Sequence, residues 1–337
     1  MEAWAEARRA LLEAGWDLTA LDRPLAWPSE GRPTRGKVRG TLYGVAIGDA
    51  LGAPNEGRRP GPGRVEKLQP HSGLPAGTVT DDTALTLALA ETQLDRGGLD
   101  LTVLACRFVD RGWCMVGGGR ATREALARLA EGTPWWAAGT PSAGNGAAMR
   151  AAPLGLFLED PAEVRRAALL QSLPTHRDRS AAAGAMVNAL LVGALARGAA
   201  PDPGRLLPWL REAISGFEVP LESRLRRGWR TTLADALAEL PEYLGDPARA
   251  FRRFGLGAFV LETLPSALAL FFAHPDEPEA ALSTAAGAGF DADTLASLVG
   301  GWLGAHLGDR RLRSNTPSDW WEVSAKREIE RVSRLAF

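Results

Sequence analysis

Two acidic clusters stand at the beginnings of predicted helices, in opposite halves of this 337-residue chain. Residues 80–83 read TDDT and residues 291–294 read DADT, and small or apolar residues follow each cluster. Carboxylate and hydroxyl oxygens are hard ligands that suit Mg²⁺ or Mn²⁺. Asp and Thr are also common helix caps, but one cap needs only one such residue. The doubled clusters therefore leave two interpretations open, helix capping or a metal site that tertiary packing would assemble.

A second candidate site is the glycine-rich segment 142–150, with the sequence SAGNGAAMR. Its glycines would let backbone N–H groups approach a phosphate, and the residues that follow are typical of a helix start. Ser142 and Asn145 could donate hydrogen bonds, and Arg150 could offset anionic charge. A plain turn rich in Ser, Gly and Asn is the alternative interpretation.

Three further residues could carry chemistry, although nothing in their immediate neighbourhood requires it. Asp49 lies in a helix of small residues, where a structural carboxylate with buried partners is the expected role. Glu56 follows Pro54 in a loop, where most glutamates are simply solvated. His176 precedes a long apolar segment and could bind an anion or a sugar hydroxyl, or lie at the surface beside a helix cap.

The elements that would position these residues are helices. Long segments rich in Ala, Leu and Gly lack the alternation of a β-strand, which predicts an all-α fold. Residues 1–17 are predicted as a short amphipathic helix, 21–37 as a linker, and 55–79 and 132–152 as long loops. The clearest predicted helices cover 40–53, 83–95, 100–111, 121–131, 161–171, 180–197, 257–272 and 294–307.

Two rows of glycines recur every four residues, at 44, 48 and 52 and at 300, 304 and 308. Positions four apart share one face of a helix, and each glycine costs about 1 kcal/mol of helix propensity relative to alanine. Close approach of another backbone is the expected reason for both rows. The two helices are therefore predicted at the centre of the bundle.

The composition excludes several classes of protein. Apolar residues make up 45% and charged residues 23%, and the net charge of −1 provides no overall attraction to nucleic acid or an anionic membrane. Two cysteines and four scattered histidines argue against a disulfide framework and a histidine metal site. The acidic and basic N-terminus is unlike a secretory signal, and the apolar run 181–196 is shorter than the roughly 20 residues of a membrane span. We expect a cytoplasmic protein.

Taken together, these segments resemble the ADP-ribosylglycohydrolase family, which includes dinitrogenase-reductase-activating glycohydrolase and the ADP-ribosylhydrolases. The resemblance covers about residues 38–310, which are taken as the family domain. Residues 1–37 are taken as an N-terminal extension and 311–337 as a C-terminal extension packed on the same domain. The matching segments, in the family's order, are 44–52 through Glu56, 80–83, 142–146 through Met149 and Arg150, Thr175 with His176, and 289–294.

The resemblance implies a compact orthogonal bundle of helices with two Mg²⁺ or Mn²⁺ ions. The implied metal ligands are Thr80, Asp81, Asp82, Asp291, Asp293 and Thr294. The implied contacts to the substrate are Ser142, Gly144, Asn145, Gly146, Met149, Arg150 and His176. Glu56 and Asp293 would be catalytic, with Glu56 acting as an acid or as a gate.

The activity that the resemblance implies is hydrolysis of the glycosidic bond between the distal ribose of ADP-ribose and an acceptor, releasing ADP-ribose. The acceptor would be a nitrogen or oxygen of a protein side chain such as arginine or serine. Two alternatives are a non-catalytic relative that only binds ADP-ribose, and a hydrolase of a small ADP-ribosyl metabolite. The intact set of ligand positions favours an enzyme.

Overall fold

Helices form the described part of the chain, which a computed structural model covers at residues 2–59, 64–112, 116–218 and 232–337. Within these ranges there is no β-strand, and extended pairing is limited to isolated bridges. The all-α prediction is confirmed. The α-helices, in chain order from α1 to α17, are Glu2–Glu13, Arg35–Gly52, Asp81–Arg96, Leu101–Gly112, Arg120–Ala130, Trp135–Ala138, Gly146–Met149, Ala152–Phe157, Pro161–Ser172, Arg179–Ala196, Pro203–Ile214, Leu233–Glu239, Pro247–Phe254, Val260–Ala273, Pro278–Ala286, Ala292–Ser314 and Lys326–Leu335.

All eight clearest predicted helices are present, as α2 to α5, α9, α10, α14 and α16. The predicted loop 132–152 is wrong in part, because two four-residue helices, α6 and α7, form inside it. The predicted loop 55–79 has no α-helix among its described residues, and its residues 60–63 lie outside the described ranges.

Helices α2 and α16 pack backbone against backbone through their glycines. A Cβ placed at Gly44 would lie within 3.0 Å of the carbonyl oxygen of Gly300, and one at Gly48 would meet the carbonyl of Ala296 equally closely. The reverse holds for Gly304, where a Cβ would meet the carbonyl of Gly40. Only glycine permits this approach, which places the start of α16 beside the end of α2.

Gly308 differs from the other glycines of its row. Its φ of 74° falls in the left-handed region and kinks α16, and a Cβ there would approach Gly36 no closer than 3.6 Å. The reason for this glycine is therefore its backbone conformation. The expectation of close packing was wrong at this one position.

Helix α10 forms the centre of the core. Every residue from Ser180 to Ala196 is buried, and Asn188 places its polar atoms on neighbouring elements. Its amide nitrogen donates to the carbonyl of Ala148 in α7 at 2.7 Å, and its oxygen accepts from the Trp302 indole in α16 at 2.8 Å. This helix is apolar and long enough to cross a membrane, but 94% of it is buried inside the protein, as in a core helix.

Both terminal segments pack against the helices between them. The predicted linker 21–37 is held by the buried Arg165 of α9, which donates to the carbonyls of Leu21 and Arg23, and by the side chain of Leu21, which is fully buried. At the other end, α17 places Glu330 against Arg39 of α2 at 2.6 Å. The predicted boundaries after residues 37 and 310 fall inside α2 and α16.

Candidate metal centre and active-site cavity

The first acidic cluster begins α3, and its backbone is fixed by a carboxylate from another helix. Thr80 is the N-cap residue of α3, but its side chain makes no hydrogen bond to the helix. Instead, the fully buried Asp49 of α2 accepts the backbone N–H and the hydroxyl of both Thr80 and Thr83, at 2.5 to 3.1 Å. Asp49 thus has the structural role that its sequence context favours, and it orients Asp81 and Asp82.

The second acidic cluster begins α16 after a left-handed residue, Phe290, with a φ of 54°. Two backbone hydrogen bonds of 2.7 Å join this turn to the loop that follows α2, from Gly57 N–H to the carbonyl of Phe290 and from Phe290 N–H to the carbonyl of Arg58. These bonds bring Glu56 to the cluster. One carboxylate oxygen each of Glu56, Asp291 and Asp293 lies within 4.8 Å of the others.

The two clusters meet in space. The hydroxyl of Thr294 donates to Oδ2 of Asp82 at 3.2 Å, which links the start of α16 to the start of α3. Asp81, on the other side, accepts a hydrogen bond of 2.9 Å from the backbone N–H of Gly118. The convergence on which a metal site depends is therefore present.

The electrostatics of this cluster are unfavourable without a cation. Burial, followed by repulsion from neighbouring carboxylates, raises the pKa of Asp81 to about 7, and burial raises the pKa of Asp291 to about 6. Burial and then mutual repulsion also raise the pKa of Asp82 and of Asp293. Among the described residues, no Arg or Lys forms an ion pair with any of these four carboxylates.

The donor atoms fit a hard divalent ion. Oδ1 of Asp82 and Oδ1 of Asp293 are both buried and have no hydrogen-bond partner. A buried carboxylate oxygen without a partner is costly, and a bound cation would relieve that cost. Because every candidate ligand is a carboxylate or hydroxyl oxygen, the set suits Mg²⁺ or Mn²⁺ better than a softer metal.

A cavity of about 930 Å³ opens beside the acidic cluster and can hold a ligand of nucleotide size. Most of the residues predicted for the site line it. These are Glu56, Asp81, Asp82, Ser142, Gly144, Asn145, Gly146, Met149, His176, Asp291, Asp293 and Thr294. Thr80 does not line the cavity, because it lies behind the cluster with its hydroxyl donating to Asp49 at 2.8 Å.

Arg150 does not reach the cavity, so its predicted contact to the substrate is not supported. Its side chain is fully buried, and its guanidinium donates to Gln171 and to the hydroxyl of Thr175 at 2.7 to 2.8 Å. Residue 150 follows the short helix α7, and the chain there turns toward α9 and away from the opening. The sequence showed the charge but not this direction.

Asn145 lines the cavity, but its side-chain N–H groups donate to other residues of the protein. Its amide nitrogen donates to the hydroxyl of Thr263 at 2.8 Å and to Oδ2 of Asp291. Both amide hydrogens are used, so this side chain fixes a candidate metal ligand. The partner residues lie more than a hundred positions away in sequence, which is why the segment alone did not reveal them.

His176 lies against the glycine-rich segment with the Nε2 edge of its ring at the cavity. A Cβ at Gly144 would lie 3.3 Å from Nε2 and a Cβ at Gly146 would lie 3.2 Å from it, so two glycines make room for the ring. Burial and then repulsion from Arg150 lower the pKa of His176 to about 3. The imidazole is therefore neutral at physiological pH.

Other residues of the cavity escaped the sequence analysis. They are Gly118, Gly119, Arg120, Ala121, Thr122, Glu124, Thr140, Pro141, Ala143, Asp178, Ala258 and Phe259. The run of three glycines at 117–119 was a usable signal, because such a run indicates a backbone that must approach something closely. A Cβ at Gly117 would lie 2.8 Å from Oδ1 of Asp81.

Comparison with known proteins gives a consistent result. A family model described as ADP-ribosylglycohydrolase matches residues 31–336. ADP-ribosylarginine hydrolase Tri1 of Serratia proteamaculans is 29% identical over 89% of this chain and 78% of its own length. ADP-ribosyl-[dinitrogen reductase] glycohydrolase of Rhodospirillum rubrum is 27% identical over 89% of this chain and 95% of its own length.

The fold comparison agrees. A solved structure described as an ADP-ribosylglycohydrolase-related protein complex superposes with a TM-score of 0.70 and 31% identity, covering 90% of this chain and 96% of the other. The family model also extends through α17, which the resemblance noted in the sequence did not cover. This chain belongs to the ADP-ribosylglycohydrolase family of hydrolases.

Proposed function

We propose that this protein hydrolyses the glycosidic bond between the distal ribose of ADP-ribose and a nitrogen or oxygen of an acceptor such as an arginine or serine side chain. The observation that carries the proposal is the meeting of both acidic turns and Glu56 at one cavity of about 930 Å³. The names of the relatives, which include an ADP-ribosylarginine hydrolase, support the substrate class.

The residues that would hold two Mg²⁺ or Mn²⁺ ions are Asp81, Asp82, Asp291, Asp293 and Thr294. Thr80 lies behind this set of ligands. When bound, such ions polarise oxygen ligands and lower the pKa of coordinated water. Asn145 and Gly118 keep two of these carboxylates in place through the hydrogen bonds described above.

The reaction replaces the bond from the anomeric carbon to the acceptor with a bond to a water oxygen, through an oxocarbenium-like transition state. Asp293 would orient the water and accept its proton. Glu56, which is exposed at the mouth of the cluster, would protonate the departing nitrogen or oxygen. Partial desolvation, followed by repulsion from Asp49, raises the pKa of Glu56, and a raised pKa suits a general acid.

The other end of the cavity would hold the rest of ADP-ribose. Ser142, Gly144 and Gly146 line it with small groups that let a diphosphate approach the backbone, and His176 adds a ring nitrogen. Because the acidic cluster and the glycine-rich segment share one cavity, the distal ribose and the diphosphate can be bound together.

The decisive experiment is an ADP-ribose release assay with arginine-, serine- and nucleobase-linked substrates, with and without Mg²⁺ or Mn²⁺. We expect Asp293→Ala to reduce release by at least about 100-fold while the helical circular dichroism is unchanged. Asp276→Ala is the matched control, because Asp276 is an exposed acid that pairs with His306 away from the cavity. Release at the wild-type rate by Asp293→Ala, or by rigorously chelated enzyme, would contradict the proposal, and binding without release of any linkage would favour the non-catalytic alternative.

A further inference from the structure

Arg150 is a buried cation that acts on the cavity through other residues. Its guanidinium donates to the Gln171 side chain at 2.7 Å and to the hydroxyl of Thr175 at 2.8 Å, and it stacks on the Phe108 ring at 4.5 Å. No carboxylate in the described part of the chain forms an ion pair with it. Burying an arginine without such a partner costs free energy of folding. This cost indicates that the contacts of Arg150 have a role at the cavity.

One of those groups is the hydroxyl of Thr175, which has one proton to donate. A guanidinium can only donate, so Arg150 occupies a lone pair of Oγ1 and turns the hydroxyl proton away from itself. Two acceptors remain, Nδ1 of His176 at 2.9 Å and the carbonyl of Ser172 at 3.5 Å. The first distance is that of a good hydrogen bond and the second is marginal. In the reverse arrangement Nδ1–H would donate to the second lone pair of Oγ1, and the hydroxyl would have to donate to Ser172, whose carbonyl already accepts the backbone N–H of Thr175 and of His176. The geometry therefore favours donation from the Thr175 hydroxyl to Nδ1.

This hydrogen bond decides which ring nitrogen of His176 carries a proton. A neutral imidazole has one N–H, and if Nδ1 accepts a hydrogen bond then Nε2 holds the hydrogen. The Nε2 edge faces the cavity between Gly144 and Gly146. His176 thereby presents a donor, at a fixed point, to whatever ligand occupies the glycine-rich end.

We propose that Thr175, oriented by Arg150, is a positioning residue that holds His176 in the Nε2–H tautomer, so that Nε2–H donates to an anionic oxygen of the substrate. The identity of that oxygen, a diphosphate oxygen of ADP-ribose, rests on the proposed function. Arg150 does not contact the anion, but its positive charge polarises the hydrogen bonds that lead from it through Thr175 to His176.

The tautomer can be read without any ligand, by ¹⁵N NMR of the histidine rings, with His176→Gln used to assign the signal of residue 176. We expect a protonated, pyrrole-type Nε2 and an acceptor-type Nδ1 in the wild-type protein. Thr175→Val, which keeps the shape but removes the hydroxyl, should lose this single tautomer, and Thr175→Ser should keep it. A pyrrole-type Nδ1 in the wild-type protein would overturn the inference.

The functional consequence is measured by calorimetric titration with ADP-ribose in the presence of Mg²⁺. We expect Thr175→Val to weaken binding roughly tenfold, as for loss of one hydrogen bond to a charged group, with Thr175→Ser within about twofold of wild type. Thr92→Val is the matched control, because Thr92 is a buried threonine that also accepts from an arginine, Arg107, but lies outside the cavity. We expect its affinity to be that of the wild type.

Equal ADP-ribose affinity in Thr175→Val and wild type would overturn the inference even if the tautomer were as expected. Wild-type protein that binds no ADP-ribose would contradict the proposed function and the ligand assigned to Nε2–H. The tautomer, measured in the free protein, separates the two failures.

Discussion

Individual carboxylates in this site differ in how many partners the protein gives them. Asp49 accepts hydrogen bonds from two backbone amides and two hydroxyls, whereas Asp82 and Asp293 each keep one buried oxygen without a partner. The first pattern is typical of a structural group, and the second is the one that a metal ligand would have. A carboxylate in the sequence says nothing about which pattern it will have.

Glu56 is the residue whose proposed catalytic role can be tested separately from substrate binding. We expect Glu56→Gln to lower kcat for ADP-ribose release by about 100-fold, the usual size of a general-acid contribution, because the amide cannot protonate the leaving group. Affinity for ADP-ribose should stay within a few-fold of wild type. A matched pair of release kinetics and calorimetric titration tests this, and an unchanged kcat would assign Glu56 a role other than proton donor.

The raised pKa values of the cluster predict how metal affinity and stability change with pH. Because Asp291 and Asp81 lose their protons near pH 6 and pH 7, apparent Mg²⁺ affinity should rise as pH increases through this range. In the metal-free protein the folded-state pKa values exceed the unfolded value of about 3.9. The stabilisation that these groups contribute is therefore complete below about pH 4 and is lost as pH rises through about 7.

Thermal unfolding in EDTA and in Mg²⁺, from about pH 4 to about pH 8, measures both effects. The melting temperature in EDTA should fall with rising pH, and added Mg²⁺ should reverse that fall above about pH 6. A melting temperature that is independent of Mg²⁺ at every pH would contradict the metal assignment.

Helices position the site through one unusually close pair, α2 and α16. We expect Gly44→Ala to destabilise the protein by about 3 kcal/mol, despite the better helix propensity of alanine, because the new methyl group would collide with the Gly300 carbonyl. The affinity for Mn²⁺ should fall as well. The collision would push α2 and α16 apart, and these two helices carry Asp49 and Asp293. Urea unfolding and Mn²⁺ titration measure these effects.

The control for that substitution is Gly98→Ala, because a Cβ at Gly98 would meet nothing within 4 Å. It should leave both measurements near the wild-type values. A Gly44→Ala protein as stable as Gly98→Ala would show that the two backbones are not held as closely as described.

The sequence was most informative about long helices and least about short ones. Long segments rich in Ala, Leu and Gly located α2, α3, α10 and α16, but α11 and α13 were missed although each begins at the proline of an Asp-Pro pair. That pair supplies an N-cap and a proline at the first helical position, as it also does for α9, which was predicted. The missed helices are short and contain several charged residues or prolines, so they lack the long apolar runs on which the prediction rested, although α13 has a strongly amphipathic pattern.

The sequence predicted most of the residues that form the candidate site, but it did not predict what each of them contacts. The acidic clusters and the glycine-rich segment were visible as residue types. The hydrogen bond from Asn145 to Asp291, and the turning of Arg150 toward Thr175, depend on packing between distant segments. Local sequence carries no information on such contacts.

At the scale of the whole molecule, the C-terminal helix α17 packs on both α2 and α3 and holds them together. Glu330 pairs with Arg39 and accepts from the Tyr43 hydroxyl at 2.8 Å, and Arg331 pairs with the buried Glu91. Ile329 and Val332 are fully buried beneath it. The last segment of the chain therefore holds both helices that carry the first half of the site.

Removing residues 326–337 should lower the free energy of unfolding by about 3 to 6 kcal/mol, from the burial of Ile329 and Val332 alone at about 1.5 to 3 kcal/mol each. Urea denaturation of the truncated and full-length proteins measures the difference. Removal of Phe337 alone, whose side chain is 65% exposed, is the control and should have little effect. A truncated protein of unchanged stability would mean that α17 does not hold α2 and α3 together.

The pairing of α2 with α16 also has a consequence for the newly made protein. Helix α2 leaves the ribosome long before α16. The glycine face of α2 therefore has no packing partner until α16 has been synthesised. A nascent polypeptide that ends before residue 291 lacks Asp291 and Asp293, two of the four candidate acidic ligands, so the proposed metal site could form only after the start of α16 has been synthesised.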